Sequence, residues 1–91
     1  MNRYGAMAQK HWQKWLPSRY NQVPNPEAFF TDLGEQVLER ITSLEMAIAG
    51  DDPPGEDYLA KLRRLTMARR DAESDVLREM VLIEPEEGDP T

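Results

Sequence analysis

The sequence predicts an all-α fold, in which a long antiparallel helical hairpin has a short N-terminal helix packed across it. Three observations lead to this three-helix arrangement. Apolar residues recur at spacings of three and four in three separate segments, which is the period of an amphipathic helix. Only a short stretch with proline and glycine separates the two longer segments, so these helices should run antiparallel. A chain of 91 residues also allows one domain at most, which we place at residues 1–83.

The first predicted helix covers residues 4–16. Its apolar side is formed by Tyr4, Ala8, Trp12, Trp15 and Leu16, which lie within one sector of a 3.6-residue period. The helix should end at Leu16, because a residue that precedes proline is steered out of the α region. Residues 17–26 contain three prolines and two asparagines and are expected to be a connector, with a short helical turn near 18–22.

The second predicted helix covers residues 26–49. Asn25 is a good N-cap, Pro26 is tolerated in the first turn, and Gly50 supplies a stop signal. Its apolar stripe consists of Phe30, Leu33, Val37, Ile41, Leu44 and Ile48. Gly34 inside this helix costs about 1 kcal/mol relative to alanine. We therefore expect another backbone to approach closely at Gly34.

The third predicted helix covers residues 54–82 and follows a tight turn at 51–55. Its apolar stripe consists of Tyr58, Leu62, Leu65, Ala72, Val76, Met80 and Ile83. Tyr58 is expected to pack near Ile48. The far end of this helix extends past Phe30, and Trp12 and Trp15 are expected to cover it. Residues 84–91 contain no apolar side chain and are expected to form a disordered acidic tail.

Charge is divided unevenly along the chain. The first 26 residues contain four Lys/Arg and no acid, whereas the remainder has seven Lys/Arg against seventeen Asp/Glu, a net charge of −10. The overall charge of −6 argues against general affinity for nucleic acid or anionic membranes. No apolar run is long enough to span a bilayer or to act as a signal peptide, so a cytoplasmic location and no membrane partner are expected.

Two blocks of sequence carry a resemblance to a known family. The first contains Tyr4-Gly5-Ala6-Met7, Leu16-Pro17 and Tyr20-Asn21, and the second contains Tyr58-Leu59, Lys61-Leu62, Ala72-Glu73, Val76-Leu77 and Glu79-Met80-Val81. In this order the blocks resemble the small transposon-encoded proteins of the TnpV type. The likeness covers about half of the chain, at its two ends. It implies a helical accessory protein carried by a mobile element, and it implies no particular activity.

No catalytic residue is predicted, because the residues that chemistry would need have no evident partners. His11 is the only histidine, and the chain has no cysteine. Acids on the two long helices offer one enzymatic alternative, a Mg²⁺-dependent all-α nucleotide pyrophosphohydrolase; these acids are Asp32, Glu35, Glu39, Asp71, Glu73 and Asp75. Interleaved arginines favour a solvated face instead, so we predict no metal site and no cofactor.

Basic residues of the first and last helices offer a second alternative, a DNA-binding accessory protein. The residues concerned are Lys10, Lys14, Lys61, Arg63, Arg64 and Arg70. A DNA-binding helix usually presents one basic stripe in a recognisable frame, and here the charges spread around the helix. In the last helix, most side chains of the acid-free run are expected to pair with Glu35, Glu39 and Glu45 across the hairpin; this run consists of Lys61, Arg63, Arg64, Arg69 and Arg70. DNA is thus an alternative partner and not the favoured one.

The favoured prediction is a non-enzymatic accessory or protein-interaction module, encoded by a mobile element. Its candidate partner-binding residues are Trp12, Trp15 and Arg69. The tryptophans suit either a hot spot or a small core, with the core favoured. Arg69 lies in an apolar row, where it should snorkel, meet Glu35 or Asp32, or lie in a subunit interface. A homodimer is expected, together with an unidentified protein partner; an acidic face that imitates DNA is a variant of this prediction.

Overall fold

The computed structural model describes residues 1–86, and in this range the chain is helical without any strand. The helices are α1 (Arg3–Trp15), α2 (Pro17–Asn21), α3 (Pro26–Ala49) and α4 (Tyr58–Val76), and a π-helical turn follows at Leu77–Val81. α3 and α4 form the antiparallel hairpin, and α1 packs against it. The predicted all-α architecture is confirmed.

α1 and α2 begin where local signals direct them to begin. The side chain of Asn2 caps α1 by accepting a hydrogen bond from the Gly5 backbone N–H at 2.9 Å. α1 ends at Trp15, two residues before Pro17, and Pro17 itself occupies the first turn of α2. The predicted connector therefore holds a complete five-residue helix.

α3 has the predicted bounds. Asn25 Oδ1 accepts a hydrogen bond from the Ala28 N–H at 3.2 Å, so the cap forms as expected. Gly50 follows the last helical residue with a φ of 63°, a conformation that glycine adopts without strain. The helix is 24 residues long, or roughly 36 Å at 1.5 Å per residue.

α4 begins later than predicted. The sequence prediction started this helix at residue 54, but it starts at Tyr58, with Asp57 accepting a hydrogen bond from the Ala60 N–H at 2.7 Å. Gly55 has a φ of 77°, which no continuing helix permits. The connection between α3 and α4 therefore covers residues 50–57 in place of the predicted five-residue turn.

The π-helical turn changes which residues of the last segment face the core. A π turn contains one more residue than an α turn, and here the Leu82 N–H donates to the Leu77 carbonyl at 2.7 Å. Val81 is consequently fully buried, whereas Met80 and Ile83 are only partly buried. The predicted stripe, which assumed a continuous α-helix, included Met80, which packs against the core, but it missed Val81.

The core lies at the end of the hairpin that α1 covers. It consists of Tyr4, Ala8, Phe30, Val37, Ile41, Ala72, Val76 and Val81. The ring of Trp12 lies 5.3 Å from that of Phe29 and 5.4 Å from that of Phe30, measured between centroids. Trp12 thus provides the predicted cover, while Trp15 is 43% exposed and does not.

α1 crosses α3 at two glycines. A Cβ built on Gly34 would overlap Asn2 Oδ1 and would lie 2.7 Å from the backbone nitrogen of Gly5. A Cβ on Gly5 would in turn overlap the Phe30 carbonyl oxygen. The expected close approach at Gly34 therefore exists, and the approaching backbone belongs to α1.

Residues 83–86 lie along α1. His11 Nε2 is 2.7 Å from the Ile83 carbonyl oxygen, and the Glu86 N–H donates to the Trp15 carbonyl at 3.2 Å. Glu86 also accepts a hydrogen bond from the Arg19 N–H at 2.9 Å. Of the predicted disordered tail, Glu86 contacts α1 and α2, and residues 87–91 lie outside the described residues.

Candidate functional site

Among residues 1–86, no helix lies over the half of the hairpin next to the α3–α4 connection. α1 begins beside Gly34, near the middle of α3, and runs away from the connection. Beyond this point the groove between α3 and α4 stays open. We call it the tip groove, and define it by Leu38, Glu45, Met46, Ala49, Tyr58, Leu62, Leu65 and Arg69.

Four of these residues, Leu38, Glu45, Leu62 and Arg69, share the face of the hairpin that α1 covers further along. On α3, Leu38 and Glu45 follow Gly34 at helical spacings that return to the same side. On α4, Arg69 and Leu62 stand in the same relation to Glu73, which accepts a hydrogen bond from the Tyr4 hydroxyl of α1 at 2.7 Å. The tip groove therefore continues the surface on which α1 packs.

Two features connect the α3 and α4 sides of the tip groove. Arg69 Nη1 lies 3.5 Å from Glu45 Oε2, which links the two helices across the groove. A concavity is lined from both sides, by Glu45, Met46, Ala49, Gly50, Asp51 and Leu65. The groove is therefore one surface and not two unrelated patches.

The tip groove is rich in exposed apolar side chains. Their exposed fractions are 40% for Leu38, 70% for Met46, 76% for Tyr58, 49% for Leu62 and 38% for Leu65. Leu59 next to them is also exposed. The sequence prediction placed Tyr58, Leu62 and Leu65 in the hairpin core, and this was wrong. Their spacing showed that they share a face, but it could not show that no helix lies over it.

Arg69 belongs to this surface. Its partner is Glu45 and not Glu35 or Asp32, and its side chain is 37% exposed. The guanidinium thus lies at the edge of the groove, where water and a carboxylate both reach it. The ion pair of Arg69 with Glu45 therefore places two charges beside the exposed apolar side chains.

The connection beyond the tip groove is fastened by Arg64. Its guanidinium donates to Glu56 at 2.8 Å, to Asp52 at 2.7 Å and to the Ala49 carbonyl at the end of α3. Hydrogen bonding from Glu56 raises the pKa of Arg64 further above its ordinary value. Lys61 donates to Asp52 at 2.7 Å, and this hydrogen bond together with Arg64 lowers the pKa of Asp52. The ion pairs hold residues 50–57 against both helices.

The six basic residues predicted for DNA binding do not form one surface. Lys61 and Arg64 are engaged by the acids of the connection. Arg63 and Arg70 are exposed, seven residues apart, and therefore share another face of α4. Lys10 and Lys14 are exposed on α1. The predicted pairing of the α4 bases with acids of the long helices holds for Arg69 with Glu45, while Lys61 and Arg64 pair with the connection.

α1 alone presents a basic stripe. Arg3, Lys10 and Lys14 fall on one side of the helix, and all three are exposed. Arg3 also donates a hydrogen bond to Glu73 at 2.7 Å. The pKa of the Arg3 guanidinium is raised, chiefly by its hydrogen bond to Tyr4. Lys14 lies over the Trp15 ring at 4.9 Å. Sequence analysis did not include Arg3 in the basic set, although its seven-residue distance from Lys10 was the signal that could have shown it.

The two tryptophans have different roles. Trp12 packs on the phenylalanines of α3, and its indole N–H is buried without a hydrogen-bond partner among residues 1–86. Trp15 is nearly half exposed. Of the predicted partner-binding residues, Trp12 therefore belongs to the packed end, while Trp15 lies on the surface at the end of α1 and Arg69 lies in the tip groove.

The acids proposed for a magnesium site are not assembled into one. Within residues 1–86, no three carboxylate, imidazole or thiol groups come close enough together to hold a metal ion. The Glu73 carboxylate accepts hydrogen bonds from Arg3 and from the Tyr4 hydroxyl. The same part of the chain contains no helix with the length and apolar character of a membrane span.

Comparison of the chain with protein-family models, with curated proteins and with solved structures finds no match.

Proposed function

We propose that this protein is a non-enzymatic interaction module that binds another protein surface in the tip groove. The observation that carries the proposal is the apolar surface that the groove leaves open to water. From the exposed fractions of its five large side chains, this surface is on the order of 600 Å², at the upper end of what a monomer usually exposes.

The fold does not need this surface for its own core. Phe30, Val37 and Val76 are buried at the opposite end of the hairpin, under α1. Leaving leucine, methionine and tyrosine side chains in water is unfavourable, because their transfer out of water is the main favourable term in association. A partner that covers the tip groove would remove these side chains from water, which explains why apolar residues occur there.

The setting that we propose is that of an accessory protein encoded by a mobile element. The support for it is the resemblance to TnpV-type proteins of the N-terminal block between Tyr4 and Asn21 and of the C-terminal block between Tyr58 and Val81. Tyr4 and Gly5 of the first block pack on the hairpin, and Glu73 of the second bonds to Tyr4. These residues belong to the packed end, whereas Tyr58 and Leu62, which are also part of the second block, lie in the tip groove.

Site-specific photo-crosslinking in cells that express the full chain tests the proposal. A photoreactive residue at position 62 lies in the tip groove, and one at position 67 lies on another face of the same helix with similar exposure. We expect an adduct with protein from position 62 and little from position 67. Adding Met46→Lys should abolish the adduct, because it places a charge inside the groove.

Circular dichroism of each variant is the control, since all these side chains are exposed and the variants should stay folded. Equal crosslinking from positions 62 and 67, or an adduct that persists with Met46→Lys, would contradict the proposed binding surface.

DNA binding through α1 is a second candidate function, favoured by the basic stripe of Arg3, Lys10 and Lys14. Fluorescence anisotropy with duplex DNA at about 50 and 200 mM salt tests it, because phosphate contacts release counterions and weaken steeply with salt. Lys10→Glu with Lys14→Glu should remove the binding, while Arg63→Glu with Arg70→Glu should not. Absence of binding by the unmodified chain at tens of micromolar would exclude this function.

A further inference from the structure

We propose that the occupant of the tip groove is a second copy of this chain, so that two hairpins pack tip to tip around a two-fold axis. This inference rests on the proposed function and names its partner. In such a dimer the start of α4 from each copy lies in the tip groove of the other. Leu62 and Leu65 of the two copies then come together near the axis.

The shape of the groove fits a helix as its occupant. The groove between α3 and α4 extends beyond the tip groove, and there it holds α1. The α1 backbone approaches closely enough to require Gly5 and Gly34. The open half, from Leu38 to Ala49 on α3, is roughly 17 Å long at 1.5 Å per residue. α4 offers a matching segment, because Tyr58, Leu62 and Leu65 recur at spacings of four and three on one exposed side.

The charge of the tip permits two copies to meet there. Residues 45–70 contain five Asp/Glu and five Lys/Arg, so this part of an otherwise acidic chain has no net charge. Arg69 and Glu45 lie in the groove as one cation and one anion. A surface with balanced charges of both signs can be complementary to itself, as a two-fold interface requires.

The acidic part of the chain favours the same arrangement. Residues 71–86 contain six Asp/Glu and one Lys/Arg, and they run from the last part of α4 away from the connection. The molecule is 57 Å long, so tip-to-tip packing places the two acidic segments at opposite ends of the dimer. This separation greatly exceeds the Debye length of about 8 Å at physiological salt, and their repulsion is screened.

The available area is sufficient for a reversible dimer. Two tip grooves of about 600 Å² together bury about 1,200 Å², which is the lower end of the range for specific protein interfaces. We therefore expect a dimer that dissociates on dilution in the micromolar range, and not an obligate one. A charged surface on a different protein would gain no net electrostatic attraction from residues 45–70, because their net charge is zero.

Sedimentation equilibrium of the full chain between about 1 and 200 μM tests the inference. The monomer mass is 10.5 kDa, and we expect the average mass to approach twice this value as concentration rises. Leu62→Lys should raise the dissociation constant at least about tenfold, a loss of about 1.4 kcal/mol. Met67→Lys, a similar change on another face of α4, should leave it within about twofold.

Met46→Lys provides a second disruptive variant, on α3, and should act like Leu62→Lys. Circular dichroism at the lowest concentration shows that each variant is folded. A monomer at every concentration, or equal weakening by Met67→Lys and Leu62→Lys, would overturn the second-copy inference. If the monomer persists while position 62 crosslinks to a different protein in cells, only this inference fails; if position 62 also forms no specific adduct, the proposed function fails with it.

Discussion

At the scale of single residues, the packed end of the molecule depends on two glycines. Gly34 allows α1 to approach α3 so closely that Asn2 donates from its side-chain amide to the Gly34 carbonyl at 2.9 Å. The same Asn2 side chain caps α1 through Gly5. Loss of space at this crossing therefore disturbs the cap, the hydrogen bond and the contact of Gly5 with Phe30 together.

Gly34→Ala is expected to destabilise the protein, although alanine is the better helix former. Overpacking against backbone costs about 1–3 kcal/mol, which outweighs the gain of up to about 1 kcal/mol in helix propensity. Thermal and urea unfolding measure the difference. Ala47→Gly is a useful comparison, because residue 47 is exposed in the same helix and should lose about 1 kcal/mol by propensity alone. A Gly34→Ala variant more stable than the parent chain would contradict the close crossing.

At the scale of elements, the connection between α3 and α4 is held by charge and not by apolar packing. Arg64 binds Asp52 and Glu56 of the connection and the end of α3 at once. Residues 51–55 are all exposed. The conformation of this segment, which borders the tip groove, should therefore depend on the ionisation of its acids.

Acid is expected to loosen the connection. Asp52 has a pKa lowered by Lys61 and Arg64, so its contribution is complete above its ordinary pKa of about 3.9 and is lost as pH falls through the lowered value. NMR titration of the carboxyl carbons, with amide exchange of residues 50–57, measures both effects below about pH 4. Asp52→Asn should open the segment at neutral pH.

Asp51→Asn is the matched control, because Asp51 has no ion pair among the described residues. Equal exchange rates in the two variants at neutral pH would show that the ion pairs of Asp52 do not hold the connection.

At the scale of the whole molecule, the short α1 divides an elongated hairpin into two unlike halves. One half has a core, contributed by α1, α3 and α4 together. The other half has two helices, a charged connection and an open apolar groove. Two packed helices alone cannot enclose the apolar faces of both, so leucine, methionine and tyrosine side chains of the uncovered half stay exposed to water.

Much of the fold followed from local signals in the sequence. Asn25, Pro26 and Gly50 mark the ends of α3 because capping and φ preferences act within a few residues. Local reasoning was less accurate for α4. The helix starts where Asp57 caps it, and not at the prolines before it. The helical segment ends in a π turn that buries Val81, and the spacing of the apolar residues does not indicate this turn.

The candidate site was predicted only in part. Arg69 was recognised as unusual because it stands in an apolar row, and it does lie in the tip groove. Tyr58, Leu62 and Leu65 were assigned to the core, since an apolar stripe has the same appearance in sequence whether a helix or water lies against it. The sequence by itself therefore determined the helices, their order and their apolar faces. Which faces are covered depended on how far α1 reaches along the hairpin, and this reach is set by contacts such as Gly5 with Gly34, between residues far apart in the chain.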